Sequence, residues 1–185
     1  MNTLRSSVGS AVLWVATAVV FTMWVWGAET PGTSLSGDPR CRLGDLIHGT
    51  AHKPFVQRAL IPMMTIGIHA MLPAEVWNGL ESSLMEMPKF RKEMTRLQWE
   101  QSHLSEYIAA LSLAFLFLVG FVFVVRRLWA ILYRTSSLVE NAVPLVALAF
   151  LPPFFMEGTH YIYDFPAMAF FALGLLLMLQ SRWVL

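Results

Sequence analysis

Charge is scarce in this chain. Only 14% of its 185 residues are Asp, Glu, Lys or Arg, against about a quarter in a soluble domain. Hydrophobic residues make up 56% and the mean hydropathy is +0.57. That balance excludes an ordinary soluble domain and gives the composition of an integral membrane protein. Cysteine is nearly absent. The single Cys41 excludes an internal disulfide and leaves a thiol without a second thiol for metal or redox chemistry. No basic stripe with interleaved aromatics and no long charge run occurs, so nucleic acid is not an expected partner. Also missing are a GxSxG elbow, a phosphate-binding P-loop and a dinucleotide fingerprint, which leaves a soluble-type hydrolase or nucleotide enzyme without support. Of the five histidines, His48 and His52 stand at i, i+4. No cysteine or carboxylate arrangement completes a known metal signature around them. His69 and His103, the candidates for haem ligation, fall outside any clear span. No metal and no other cofactor is expected.

What is present is apolar sequence in blocks. Val8–Trp26 is an uninterrupted run of about 19 residues, enough to cross a hydrocarbon core of about 30 Å. Trp24 and Trp26 suit the interface at its far end. The run is too long for the apolar region of a cleaved signal peptide and ends in Trp-Val-Trp-Gly-Ala, so a retained anchor is expected. Further spans are read at Tyr107–Val125, stopped by Arg126-Arg127, at Val139–Phe155, and at Phe165–Leu179, extending to about 181. Pro144 and Pro152-Pro153 should kink or break the third. The expected fold class is all-α: one membrane domain, 1–185, with about four transmembrane helices and an outer loop, 28–106, carrying interfacial or re-entrant helices.

Within that loop, Pro31, Gly32, Gly37, Pro39, Gly44 and Gly49 punctuate a polar stretch. Leu43-Gly44-Asp45-Leu46-Ile47-His48 is where it should touch the membrane surface. Helical spacing begins at Pro54: Phe55, Ala59, Met63 and Ile66 recur every three or four residues. Pro62 should interrupt or kink this helix and Pro73 should close it. Residues 78–101 mix both signs of charge. Leu84, Met87, Phe90, Met94 and Leu97 predict one amphipathic surface helix, interrupted early by Pro88, with Lys89–Glu93 and Arg96–Glu100 as its opposite-charge pairs.

Arginine placement orients the chain. The N-terminus, the connection after the second span and the C-terminus carry Arg5, Arg126, Arg127, Arg134 and Arg182. Both termini are therefore expected in the cytoplasm, with the long mixed-charge loop outside, as in a multi-pass protein of a bacterial inner membrane. This topology collects Asp38, Asp45, His48, His52, Arg58, His69, His103, Glu106, Glu157, His160, Tyr161, Tyr163 and Asp164 on the outer side. Arg58, between Pro54 and Pro62, can hold phosphate bidentately or snorkel to lipid headgroups. Asp164 with Pro166 reads as the start of a capped helix, whose N-terminus would also favour an anion.

Two stretches carry a family resemblance. Pro54-Phe55-Val56-Gln57-Arg58-Ala59-Leu60-Ile61-Pro62 resembles a PF-x-x-R-x-L-x-P segment after the first span of bacterial polytopic proteins related to GT-C glycosyltransferases. Tyr163-Asp164-Phe165-Pro166-Ala167-Met168-Ala169-Phe170-Phe171 resembles the YD-F-P-x-x-x-F start of a later span in the same proteins. The matches cover the N-terminal part of such enzymes. The resemblance implies a membrane enzyme using a polyprenyl-phosphate-linked sugar at the outer face. In that reading Asp45 or Asp38 is the catalytic base on the acceptor hydroxyl, Arg58 holds the lipid-linked phosphate, and His160, Tyr163 and Asp164 help to shape the substrate site.

Two alternatives stand beside this reading. A small accessory or assembly subunit would use the 11 methionines and 13 phenylalanines for contacts with other membrane subunits. A transporter component would want polar residues in mid-span, where the second and fourth spans offer only Ser112, Gly120 and Gly174.

Overall fold

Helices are the only regular structure among the described residues of this computed structural model, which are 2–25, 43–50, 60–133, 135–156 and 162–180. The side chains of 2–8 and 152–156 are left aside. In chain order the helices are α1 (Asn2–Met23), α2 (Leu43–Ile47), α3 (Leu60–Met71), α4 (Ala74–Glu86), α5 (Pro88–Arg96), α6 (Leu104–Leu132, preceded by the 3₁₀ turn Gln101–His103), α7 (Ser137–Met156) and α8 (Asp164–Gln180). The all-α expectation holds among these residues.

The chain divides into two compact units. One takes Met1–Ala28, Phe115–Glu157 and Asp164–Leu185; the other takes Glu29–Ala114 and Gly158–Tyr163.

In the first unit, small and apolar residues let helices approach closely. Each helix turns one stripe inward at spacings of three and four. On α8 that stripe is Phe165, Ala169, Ala172 and Leu176, and on α7 it runs through Leu148 and Leu151. Thr17 is buried on α1 because its hydroxyl donates back to the Leu13 carbonyl at 2.7 Å, which removes the cost of an orphan polar group. Gly9 meets the Asn141 side chain of α7 where a Cβ would collide with it. Aromatic rings fill the spaces between helices. Trp14 lies 6.1 Å from Phe115 and 6.0 Å from Phe123, and Trp24 meets Phe165 edge-on at 4.8 Å.

Several boundaries differ from those expected. The arginine pair does not end α6, which continues to Leu132. Arg126 instead donates to Ser10 Oγ of α1 at 3.3 Å, so its charge is accommodated by a neighbour. Helix α7 runs on through Pro144 to Met156 without a break. Among the described residues, one stretch, Gln101–Leu132, is long and apolar enough to cross a membrane. The other expected spans correspond to the shorter apolar helices Gly9–Met23, Ser137–Leu151 and Asp164–Gln180.

In the second unit, prolines set the breaks. Pro62 lies near the start of the described part of α3 and is buried there. Pro73 does close α3, and α4 leaves at 106° to it. The single amphipathic helix expected over 78–101 is two helices, because Met87 is extended and Pro88 takes the N1 position of α5. Met94 and Leu97 are buried while Met87 is 48% exposed, so the expected stripe is only partly an inner face. Arg96 pairs with Glu93 three residues before it. Helix α5 ends in a Schellman motif: Trp99 N–H reaches Met94 O at 3.0 Å, and Gln98 N–H reaches Thr95 O at 3.2 Å. Gln98 occupies the left-handed position with φ +57°. Buried Trp99 then packs on Tyr107 of α6 at 5.3 Å.

Candidate functional site

In the second unit His48, Glu100, His103 and Glu106 come together where the end of α2 meets the start of α6. Helix α2 is short and buries Leu43, Gly44 and Leu46. The chain leaves it through His48 and then Gly49, whose φ of +72° lets it reverse direction. Gly44 packs closely on His103: a Cβ there would sit 3.3 Å from His103 Nε2, so the ring would have to yield by a few tenths of an ångström. Glycine therefore lets the His103 ring lie flush on α2.

Helix α6 begins with His103-Leu104-Ser105-Glu106, which puts His103 and Glu106 on one face at i, i+3. The turn is fixed from outside. Glu81 of α4 accepts the Ser105 backbone N–H at 3.1 Å, a capping bond from a distant carboxylate to an otherwise orphan donor. His103 Nδ1 and Glu106 Oε2 are 2.8 Å apart. On the other edge of the ring, Nε2 lies 3.7 Å from Glu100 Oε2. His48 Nε2 approaches Glu106 Oε1 at 4.0 Å, and the two imidazole centroids are 5.8 Å apart. One ligand atom each from His48, His103 and Glu106 fall within 4.8 Å of one another, close enough to share one cation. His48 is exposed and the other two are partly buried.

Beside this cluster is a cavity of about 330 Å³ whose lining includes His48, Thr65, Ile66, His69 and Glu106. Thr65 is fully buried, and its hydroxyl has no hydrogen-bond partner among the described residues. Leaving such a group unmet costs about 1–3 kcal/mol. His69 is held differently, stacked on Trp77 with ring centroids 5.3 Å apart and planes 8° apart.

The residues singled out by sequence fare unevenly. Asp45 lies in the first turn of α2, where its Oδ1 accepts from the Thr50 hydroxyl at 3.1 Å. Glu106, not Asp45, lines the cavity. Asp38, Arg58 and His160 lie outside the described residues. Tyr163 belongs to the second unit, and Asp164 opens α8 with Pro166 in its first turn, as the sequence pattern predicts. The grouping of His48 with His103 and Glu106 was not anticipated. The pair His103-x-x-Glu106 at a helix start is a local signal, but His48 joins it only through tertiary packing. No protein-family model, no curated protein and no solved structure matches the chain.

Proposed function

We propose that this chain is a multi-pass membrane protein that handles a polyprenyl-phosphate-linked sugar at the outer face of a bacterial inner membrane. The membrane half of the reading is carried by α8. Its inner stripe is apolar, and so is the rest of its surface: Phe171 is 71% exposed and Met178 72%. A helix apolar on every side with only one side packed needs an apolar solvent. The same holds for Val15 and Val19 of α1 and for Phe150 of α7. Helices α1, α6, α7 and α8 are the four spans in this reading. The arginine distribution keeps both termini in the cytoplasm.

The sugar half rests on the resemblance of the Pro54–Pro62 and Tyr163–Phe171 stretches, together with the polar groups collected in the second unit. Asp45 or Asp38 is the base, Arg58 the phosphate clamp, and His160, Tyr163 and Asp164 shape the substrate site. The full chain, reconstituted in liposomes and offered polyprenyl-phosphate-linked sugars, should bind or turn over one of them. Arg58→Ala should abolish binding, while Asp45→Asn or Asp38→Asn should spare binding and stop turnover. Binding of no lipid-linked sugar, or full activity in Arg58→Ala, rejects the reading.

A second reading, an accessory subunit of a larger membrane complex, is favoured by the same bulky exposed rings, Phe150 and Phe171, which another membrane protein could cover. Native purification distinguishes the two: the subunit copurifies with a stoichiometric partner, whereas an enzyme acts as the isolated chain.

A further inference from the structure

We infer that His48, His103 and Glu106 form a binding site for a divalent transition-metal ion, of which Zn²⁺ is the best fit. The inference does not rest on the lipid-linked sugar reading and would stand if that reading failed.

The donor set decides the class of ion. Two imidazoles and one carboxylate suit zinc, and hard cations such as Ca²⁺ or Mg²⁺ prefer all-oxygen sites. A tetrahedral ion with bonds of about 2.0–2.1 Å spaces its ligand atoms roughly 3.3 Å apart. His103 Nδ1 lies 2.8 Å from Glu106 Oε2 and His48 Nε2 lies 4.0 Å from the other oxygen, Oε1, and one donor atom from each of the three residues lies within 4.8 Å of the others, a set somewhat wider than that spacing. Small rotamer changes bring all three onto one ion. The ion takes the place of the His103–Glu106 hydrogen bond: a neutral imidazole ligating through Nδ1 carries its proton on Nε2, and only a proton in excess of that leaves to solvent.

The surroundings are those a metal ligand needs. With Nδ1 turned to the ion, the other nitrogen of His103 faces the Glu100 carboxylate at 3.7 Å. A carboxylate hydrogen-bonded behind a ligating histidine fixes its ring and raises its basicity, and Glu100 is within a small side-chain shift of that distance. Gly44 leaves room for the ring to hold that position. Three protein ligands leave a fourth position open, the arrangement of catalytic rather than structural zinc. His48 and Glu106 line the 330 Å³ cavity, so a water or ligand atom completing the shell would face it.

The test uses the full chain purified in detergent, stripped with chelator and titrated with Zn²⁺, and separately with Co²⁺ as a spectroscopic probe. The expected result is one ion per chain and visible ligand-field bands of four-coordinate Co²⁺. Glu106→Gln and His103→Ala should each weaken binding at least 100-fold. Glu100→Gln should weaken it roughly 10-fold, as the loss of a group behind a ligand does. His69→Ala should leave it unchanged, since that ring is stacked on Trp77. If the variants at the α6 start fail to fold by circular dichroism, His48→Ala decides instead, because His48 is exposed and its loss should spare the fold. Absence of stoichiometric binding, octahedral Co²⁺ spectra, or binding retained in a folded His48→Ala or His103→Ala variant overturns the inference.

Discussion

The indole of Trp77 lies flat on the imidazole of His69 and also donates its Nε1–H to the His69 backbone carbonyl at 3.2 Å. One side chain thus does two things at the sharp bend between α3 and α4. It satisfies a carbonyl in the last turn of α3 that the helix itself cannot pair. It also covers the exposed edge of that turn with a ring that is only 6% exposed.

Replacing Trp77 should separate these roles. Trp77→Phe keeps a ring over His69 and loses the donor, which should cost about 1 kcal/mol. Trp77→Ala loses both and opens a cavity, at about 3–5 kcal/mol. Denaturant unfolding followed by far-ultraviolet circular dichroism gives both values. Equal losses in the two variants would show that the hydrogen bond, not the packing, holds the bend.

Gln98 is the other place where backbone geometry and residue type disagree. Its φ of +57° is the left-handed position of a Schellman motif that glycine fills most easily. Gln98→Gly relieves that strain and should stabilise the second unit by about 0.5–1 kcal/mol. Gln98→Val should destabilise it, since a β-branched residue tolerates this conformation worst. Thermal unfolding of the two variants beside the parent chain measures the pair, and a Gly variant less stable than the parent would contradict the assignment.

The sequence made the helices legible and their joints less so. Apolar blocks without charge can only be helical if they face lipid or a core, so α1, α7 and α8 lie close to where hydropathy puts them. Pro73 and Pro88 were readable as breaks because proline removes a donor and restricts the residue before it. Arg126-Arg127 mark the end of an apolar run but not of α6, because arginine is a good helix former and Arg126 finds Ser10 of α1 as a partner. Tertiary pairing also hid the candidate site. His103 and Glu106 are neighbours in sequence, whereas His48 reaches them from the end of α2 and Glu81 caps the turn between them from α4, and no spacing rule carries such pairings. Asp45 stands among apolar neighbours, of which Leu43, Gly44 and Leu46 are buried, and its Oδ1 accepts from the Thr50 hydroxyl.

The solvent around α8 can be read from one substitution. Phe171 is 71% exposed on a helix whose inner stripe does not include it. In water, Phe171→Arg would be close to neutral. At the middle of a bilayer it should cost about 2.5–3.5 kcal/mol on the insertion scale. A glycosylation-based insertion assay on the α8 segment, with Ala172→Arg as the packed-face comparison, gives the answer. Equal insertion of parent and Phe171→Arg segments would remove α8 from the membrane.

The last prediction concerns Glu81, which acts on the candidate metal centre without touching it. Its carboxylate accepts the Ser105 N–H at 3.1 Å, between the two residues that hold one face of the cluster. An acceptor there offsets an orphan donor, and its negative charge also complements the positive end of the α6 dipole. Glu81→Gln keeps an oxygen acceptor and loses the charge, so it should cost about 0.3–1 kcal/mol, less at high salt. Glu81→Ala leaves the donor bare and should cost about 1–2 kcal/mol. The second effect should reach the metal. A first turn that frays moves His103 and Glu106 out of register, so Zn²⁺ affinity should fall in Glu81→Ala and stay near the parent value in Glu81→Gln. Titration of both variants against their unfolding free energies separates the two roles. If Zn²⁺ affinity drops equally in both, the charge of Glu81 rather than its hydrogen bond would be what the site feels.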